Sequence, residues 1–174
     1  STCPICKSSV HGLFMVLIQG QINSELYSCS ECEFAFYPEQ NWITQSFSDE
    51  LNSLDIGSTD RTLIAADYLG VLLKSQKLRD GSFLDYGGGY GLLSRIMRDR
   101  GFSFKSYDPF TKQIFPTSSQ TNNDLLEQKY DAITLIEVAL HFEDPIEEFR
   151  RLLQLTDILV LTAVLTDEKL DSDW

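Results

Sequence analysis

The chain has 174 residues, 43% of them hydrophobic, and a formal net charge of −12. That length accommodates one domain of ordinary size and a small module beside it. The charge disfavours broad contact with phosphate backbones, so nucleic acid is not an expected partner, and no apolar run approaches the roughly 20 residues of a membrane helix, so no membrane partner is expected either.

No basic start leads into an apolar stretch and a small-residue cleavage site, so nothing reads as a signal peptide. All four cysteines fall within the first 32 residues, as the C-x-x-C pairs Cys3/Cys6 and Cys29/Cys32. Without export signals, this spacing points to a metal rather than to disulfides, and to a reducing cytoplasm. Free buried thiols are the alternative reading. Four thiolates complete a tetrahedral zinc shell with no open position, so the expected zinc is structural. Leu13 to Ile18 predicts a strand, Gln19-Gly20-Gln21 a turn, and Phe34 to Tyr37 another short strand ended by Pro38. The order of knuckle, strand, turn, strand and knuckle describes a zinc ribbon over residues 1–38.

Residues 39–59 are polar, interrupted by Trp42 and Phe47, and read as a linker. A domain over 60–174 follows. Asp60 to Lys77 predicts a helix with Asp60 as its N-cap and Leu63, Ile64, Leu69, Leu72 and Leu73 on one face. Ser82 to Tyr86 predicts a strand, and Leu92, Leu93, Ile96 and Met97 a helix ended by Gly101. Arg95, Arg98 and Arg100 read as the wet face of that helix, or as a local basic patch. Phe102 to Tyr107 is the next strand, and Thr111 to Gln128 shows no clear pattern. Ala132 to Ile136 predicts a buried strand. Asp144-Pro145 opens a helix, with Asp144 as N-cap and Glu147 closing a capping box. Ile158 to Leu161 predicts a last strand. Strands alternating with helices imply an α/β fold with a parallel sheet covered on both faces.

Asp85-Tyr86-Gly87-Gly88-Gly89-Tyr90-Gly91 sits between the first strand of that sheet and the next helix. The absence of Gly-Lys-Ser/Thr excludes a P-loop. Leu92 stands where the dinucleotide fingerprint started at Gly87 needs Gly or Ala. What remains is a turn whose bare backbone admits a nucleotide-like ligand. Asp108 lies 21 residues after Gly87, at a distance suited to ribose hydroxyls. It reads alternatively as a turn acid before Pro109. Ligands of parallel sheets bind at the carboxyl ends of strands, so the glycine turn, Asp108 and Glu137 are expected to meet in one crevice.

These segments resemble class I S-adenosylmethionine-dependent methyltransferases. The resemblance rests on Phe83 to Gly91, Tyr107-Asp108-Pro109, and Tyr130 to Val138 with His141 and Asp144-Pro145 behind it. It implies a Rossmann-like, doubly wound, mostly parallel sheet binding S-adenosylmethionine. Asp85 and the loop Gly87, Gly88, Gly89 and Gly91 would hold the methionine part of that cofactor, and Asp108 the ribose. Glu137 would border the cofactor beside the acceptor. Glu137 and His141 are the candidate bases; their alternatives are an N-cap or surface acid and a locally packed histidine. The first 38 residues are similar to zinc ribbons that precede some bacterial methyltransferases of sugars or secondary metabolites. Those knuckles usually continue with glycine, where Lys7 and Glu33 stand here. The resemblance therefore implies a small-molecule acceptor such as a sugar nucleotide or secondary metabolite. The other readings are a cofactor-binding or partner-docking module without turnover, and methylation of RNA or protein gripped by the ribbon. Methyltransferases of this fold usually continue beyond the last predicted strand, so the domain is expected to be truncated at its C-terminal end. An open sheet edge there invites pairing into a homodimer.

Overall fold

The computed structural model describes residues 2–18, 22–38, 57–115 and 122–163. The N-terminal module is a three-stranded antiparallel sheet in the order β1-β2-β3. Its strands are β1 (Val10–Ile18), β2 (Ile22–Cys29) and β3 (Ala35–Phe36). The first strand begins three residues earlier than its apolar run, because Val10 pairs with Cys29 and ties the knuckle to the sheet. The expected turn at residues 19–21 lies outside the described residues, as does most of the expected linker.

The two knuckles have the same backbone. Lys7 N–H donates to Cys3 O (3.0 Å), and Glu33 N–H donates to Cys29 O (3.1 Å). Cys3 N–H reaches Ser8 O, and Cys29 N–H reaches Phe34 O. Each loop closes on a residue in the left-handed region, Lys7 at φ 64° and Glu33 at φ 61°. The turn is made at the cost of a Cβ clash that glycine lacks.

In the second unit, helices α1 (Ser58–Ser75) and α2 (Leu92–Asp99) alternate with strands β4 (Ser82–Tyr86) and β5 (Ser103–Tyr107). They are followed by α3 (Asn122–Leu125), β6 (Ala132–Leu135), α4 (Pro145–Leu152) and β7 (Leu159–Leu161). The four strands are parallel, in the order β5-β4-β6-β7. The chain passes from β4 outward to β5, then crosses back to β6, so the topological switch lies between β4 and β6.

Period-two alternation sends side chains to two cores. Phe83, Phe104 and Ala132 pack on one face against Ala66, Leu69 and Leu73 of α1 and Leu93 and Met97 of α2. Leu84, Tyr107, Ile133 and Leu135 pack on the other with Leu125 and Leu152. This is the expected doubly wound α/β arrangement.

Local readings differ from the structure in four places. The N-cap of α1 is Gly57, and Asp60 lies inside the first turn. The buried stripe of α1 is Ala66, Leu69, Gly70 and Leu73, whereas Leu63 and Ile64 are 43% and 55% exposed. Small residues carry little weight in an apolar pattern, so the large leucines misdirected it by part of a turn. Asp144 does cap α4 through Glu147 N–H (3.1 Å), but Glu147 turns to Arg150 instead of closing the box. Arg98 is half-buried and donates to Phe104 O and Phe115 O, while Arg95 and Arg100 pair with Asp99 and Asp67 on the wet face. The segment without a clear pattern contains the four-residue α3.

One polar row crosses the sheet. Asp85 is in register with Ser106 on β5 and with Thr134 on β6, and all three are buried. Thr134 Oγ1 donates to Asp85 Oδ1 (3.0 Å). Asp85 Oδ2 and Ser106 Oγ are buried without hydrogen-bond partners among the described residues. Burial pushes the Asp85 carboxyl up to about 7, against the Thr134 bond and with help from the Asp108 charge. The folded domain therefore holds this proton more tightly than the unfolded chain does. The resulting stability is complete below the ordinary Asp value of about 4 and is lost as pH rises towards 7.

Two outcomes follow from this anatomy. Asp85→Asn raises the melting temperature at pH 8 by about 4 °C or more, a gain that disappears near pH 4, as thermal scans across pH would show. Lys7→Gly and Glu33→Gly each stabilise the N-terminal module by about 1 kcal/mol in denaturant titrations, because they relieve left-handed strain.

Candidate active site and metal centre

The four cysteine sulfurs lie within 4.8 Å of one another. Cys3 and Cys32 approach to 3.6 Å, and Cys6 and Cys29 to 3.4 Å. A tetrahedron of zinc–sulfur bonds has edges of about 3.8 Å, so the donor set and its spread fit one zinc ion. Glu31 N–H points at Cys29 Sγ (3.4 Å), and hydrogen bonds from Ser8 hold the Cys6 thiol below its usual range. Both features favour thiolate, the form that binds metal, whereas Cys32, despite a hydrogen bond from the Phe34 backbone, is pushed up to about 12 by burial and the neighbouring sulfurs. Cys3 and Cys29 are buried while Cys6 and Cys32 are exposed, so each knuckle supplies one inner and one outer sulfur.

The second site forms at the carboxyl ends of β4, β5 and β6. Beyond Tyr86 the chain turns through Gly87, Gly89 and Gly91, at φ 73°, 54° and 83°. Gly87 and Gly88 both donate to Tyr107 O (2.8 and 3.0 Å), and Gly91 N–H closes on Gly88 O. A Cβ on Gly87 would stand 2.7 Å from Val138, and one on Gly88 would collide with Ser106 Oγ and Asp85 Oδ2. The turn is thus pressed onto the polar row beneath it and onto the end of β6 beside it. Among the described residues, nothing stands within 4 Å of the equivalent point on Gly89. Gly91 then caps α2.

Asp108 fixes this turn to the end of β5. Its Oδ2 accepts from Gly89 N–H (2.9 Å), and its Oδ1 accepts from Phe110 N–H (2.9 Å) and Thr111 N–H (2.7 Å). It is 6% exposed and lines the cleft described below. These bonds match the turn-acid reading, and the place of Asp108 on the cleft wall leaves it within reach of a ligand.

A cleft of about 570 Å³ opens over these strand ends. Gly87, Asp108, Glu137 and His141 line it, together with Tyr86 and Phe142. Asp85, Gly88, Gly89 and Gly91 are not among its lining residues; Asp85, 2% exposed, supports the turn from below. Glu137 follows β6 in the left-handed region at φ 58°. His141 ends a 3-10 turn over Ala139–His141. Burial lowers the His141 pKa and the Glu137 charge opposes that shift, which leaves a mostly neutral imidazole at pH 7.

Several contributors had no signature in the sequence. Tyr86 stacks on Tyr107 (centroids 4.9 Å apart) and meets Phe142 edge-on, which makes an aromatic wall. The Tyr86 hydroxyl donates to Glu148 and accepts from Arg151, both on α4 or its edge. Thr162, just past β7, bonds Glu137. Each contact joins residues more than 20 positions apart, beyond the reach of local pattern.

The methyltransferase-domain family matches residues 58–173. No curated protein matches the sequence closely. Among solved structures, the chain is similar to the plantazolicin methyltransferase BpumL in complex with SAH, at 20% identity and a TM-score of 0.44. That match covers 70% of this chain and 58% of the other, so this chain spans less than two thirds of that protein. With two thirds of its length matched by the family, and with a parallel sheet and glycine turn in the matched part, the chain belongs to the methyltransferase-domain family.

Proposed function

We propose that this chain is an S-adenosylmethionine-dependent methyltransferase acting on a small-molecule acceptor. The observation that carries the reading is the meeting of three strand ends, Gly87, Asp108 and Glu137, in one cleft of the matched domain. The residues present fit the cofactor. The glycine turn offers bare backbone, Asp108 a carboxylate for ribose hydroxyls, and the cleft has the volume usual for small ligands.

Bound there, S-adenosylmethionine would supply an electrophilic methyl group for transfer to the acceptor. The protein's part is orientation and charge. Asp108, held by three N–H groups, presents a fixed acceptor to the ribose. Glu137, on the cleft wall, would offer its carboxylate to the cofactor's positive end. His141, largely neutral at pH 7, takes the proton that an acceptor hydroxyl or amine loses. Among the described residues, six carboxylate residues line the cleft and no lysine or arginine does, which favours a neutral or cationic metabolite over the phosphates of a sugar nucleotide.

The same reading gives the four cysteines a structural zinc, closed to substrate by its fourth thiolate. Such a metal supplies folding energy that a module of this size lacks in its own core. No helix among the described residues is long and apolar enough to cross a membrane.

Calorimetry tests the cofactor site. The chain is expected to bind both S-adenosylmethionine and S-adenosylhomocysteine at micromolar concentration, and Asp108→Ala to weaken both by about tenfold or more. Undiminished binding by that variant would remove Asp108 from the site. Metal analysis is expected to find one zinc per chain. Its removal by a chelator should unfold the N-terminal module, as read by near-ultraviolet dichroism, and leave cofactor affinity within about threefold.

A further inference from the structure

We propose that Thr162 is a positioning residue for the methyl-transfer centre, because its hydroxyl clamps both the backbone and the side chain of Glu137. The inference rests on the methyltransferase reading for the role of Glu137. The clamp itself rests on geometry alone.

Glu137 is a branch point of strain. It leaves β6 with φ 58°, a conformation that a residue bearing a Cβ keeps only where its surroundings fix it. The fixing group is one hydroxyl. Glu137 N–H donates to Thr162 Oγ1 (2.8 Å), and Thr162 Oγ1 donates to Glu137 Oε1 (2.8 Å). A hydroxyl carries one donor and two acceptor lone pairs, so this bonding uses it in both senses on a single residue. Thr162 is itself set by the sheet, since its own N–H donates to Leu135 O (3.1 Å) and continues the β6–β7 ladder.

The clamp reaches the cofactor loop in one further step. Val138, the next residue, is the neighbour that a Cβ on Gly87 would strike at 2.7 Å. A backbone released at Glu137 would carry Val138 with it and loosen the packing that holds the glycine turn. Thr162 is not among the described residues that line the cleft, and its hydrogen bonds run to Glu137 and to Leu135 of the sheet.

Valine keeps the shape of threonine and removes the hydroxyl; serine keeps the hydroxyl and removes the methyl. Thr162→Val and Thr162→Ser are compared with the native chain by hydrogen exchange at the Glu137 amide, by calorimetric titration with S-adenosylhomocysteine, and by thermal melting. For Thr162→Val, exchange at Glu137 should accelerate at least tenfold and the dissociation constant should rise about tenfold. Thr162→Ser should restore both. Native protection and affinity in Thr162→Val would overturn the proposal, and so would equal damage in the serine variant, which would assign the effect to methyl packing. If the native chain fails to bind S-adenosylhomocysteine, the methyltransferase reading falls and takes the reaction role of Thr162 with it. The exchange comparison then still decides whether the hydroxyl holds Glu137.

Discussion

The second unit depends on how one carboxylate, Asp108, ties two strand ends together. Parallel strands share no hairpin, so nothing in the ladder itself fixes the loops above it. Asp108 does this with three accepted N–H bonds, one from the glycine turn after β4 and two from its own turn after β5. Tyr107 O adds two more bonds to the same turn from the last residue of β5. The loop that would face a cofactor is therefore held from the neighbouring strand. It stays in place without side chains of its own, and its surface can remain bare.

The underside of that turn has a cost. Asp85 lies beneath Gly88 with one oxygen satisfied and one buried without a partner among the described residues, beside an equally unsatisfied Ser106. An apolar row at these register positions would make a more stable sheet. A polar row at the strand ends instead keeps hydrogen-bonding groups directly under the backbone that a ligand would touch. A site that lowers the stability of its own scaffold fits the general trade between activity and stability.

The sequence was legible where the determinants are close together in the chain. The two C-x-x-C pairs, the glycine turn and the Asp144-Pro145 cap each occupy a few consecutive residues, and each appears in the structure where expected. The face of α1 was misread because Ala66 and Gly70, which point inward, contribute little to an apolar pattern, while Leu63 and Ile64, which point outward, contribute a great deal. Tyr86, Arg151 and Thr162 could not be read, because their roles arise from contacts across 65 and 25 positions, between Tyr86 and Arg151 and between Glu137 and Thr162. Lys7 and Glu33 both take left-handed backbone, the conformation for which glycine is the easiest residue.

Four residues other than glycine take positive φ among the described residues: Lys7, Glu33, Lys77 and Glu137. The first three end tight turns, and in each the strained residue's own N–H returns to a backbone carbonyl three or four positions earlier: Cys3, Cys29 and Lys74. Their conformation is the ordinary product of a local loop. Glu137 differs, since its N–H goes to a side chain 25 positions away on another strand end. No local loop requires that geometry, so the strain must be maintained by long-range structure. Of the four, Glu137 alone lines the cleft. Strain that is held from a distance, at a residue on the cleft wall, is the pattern that sets Glu137 apart from the three turn residues.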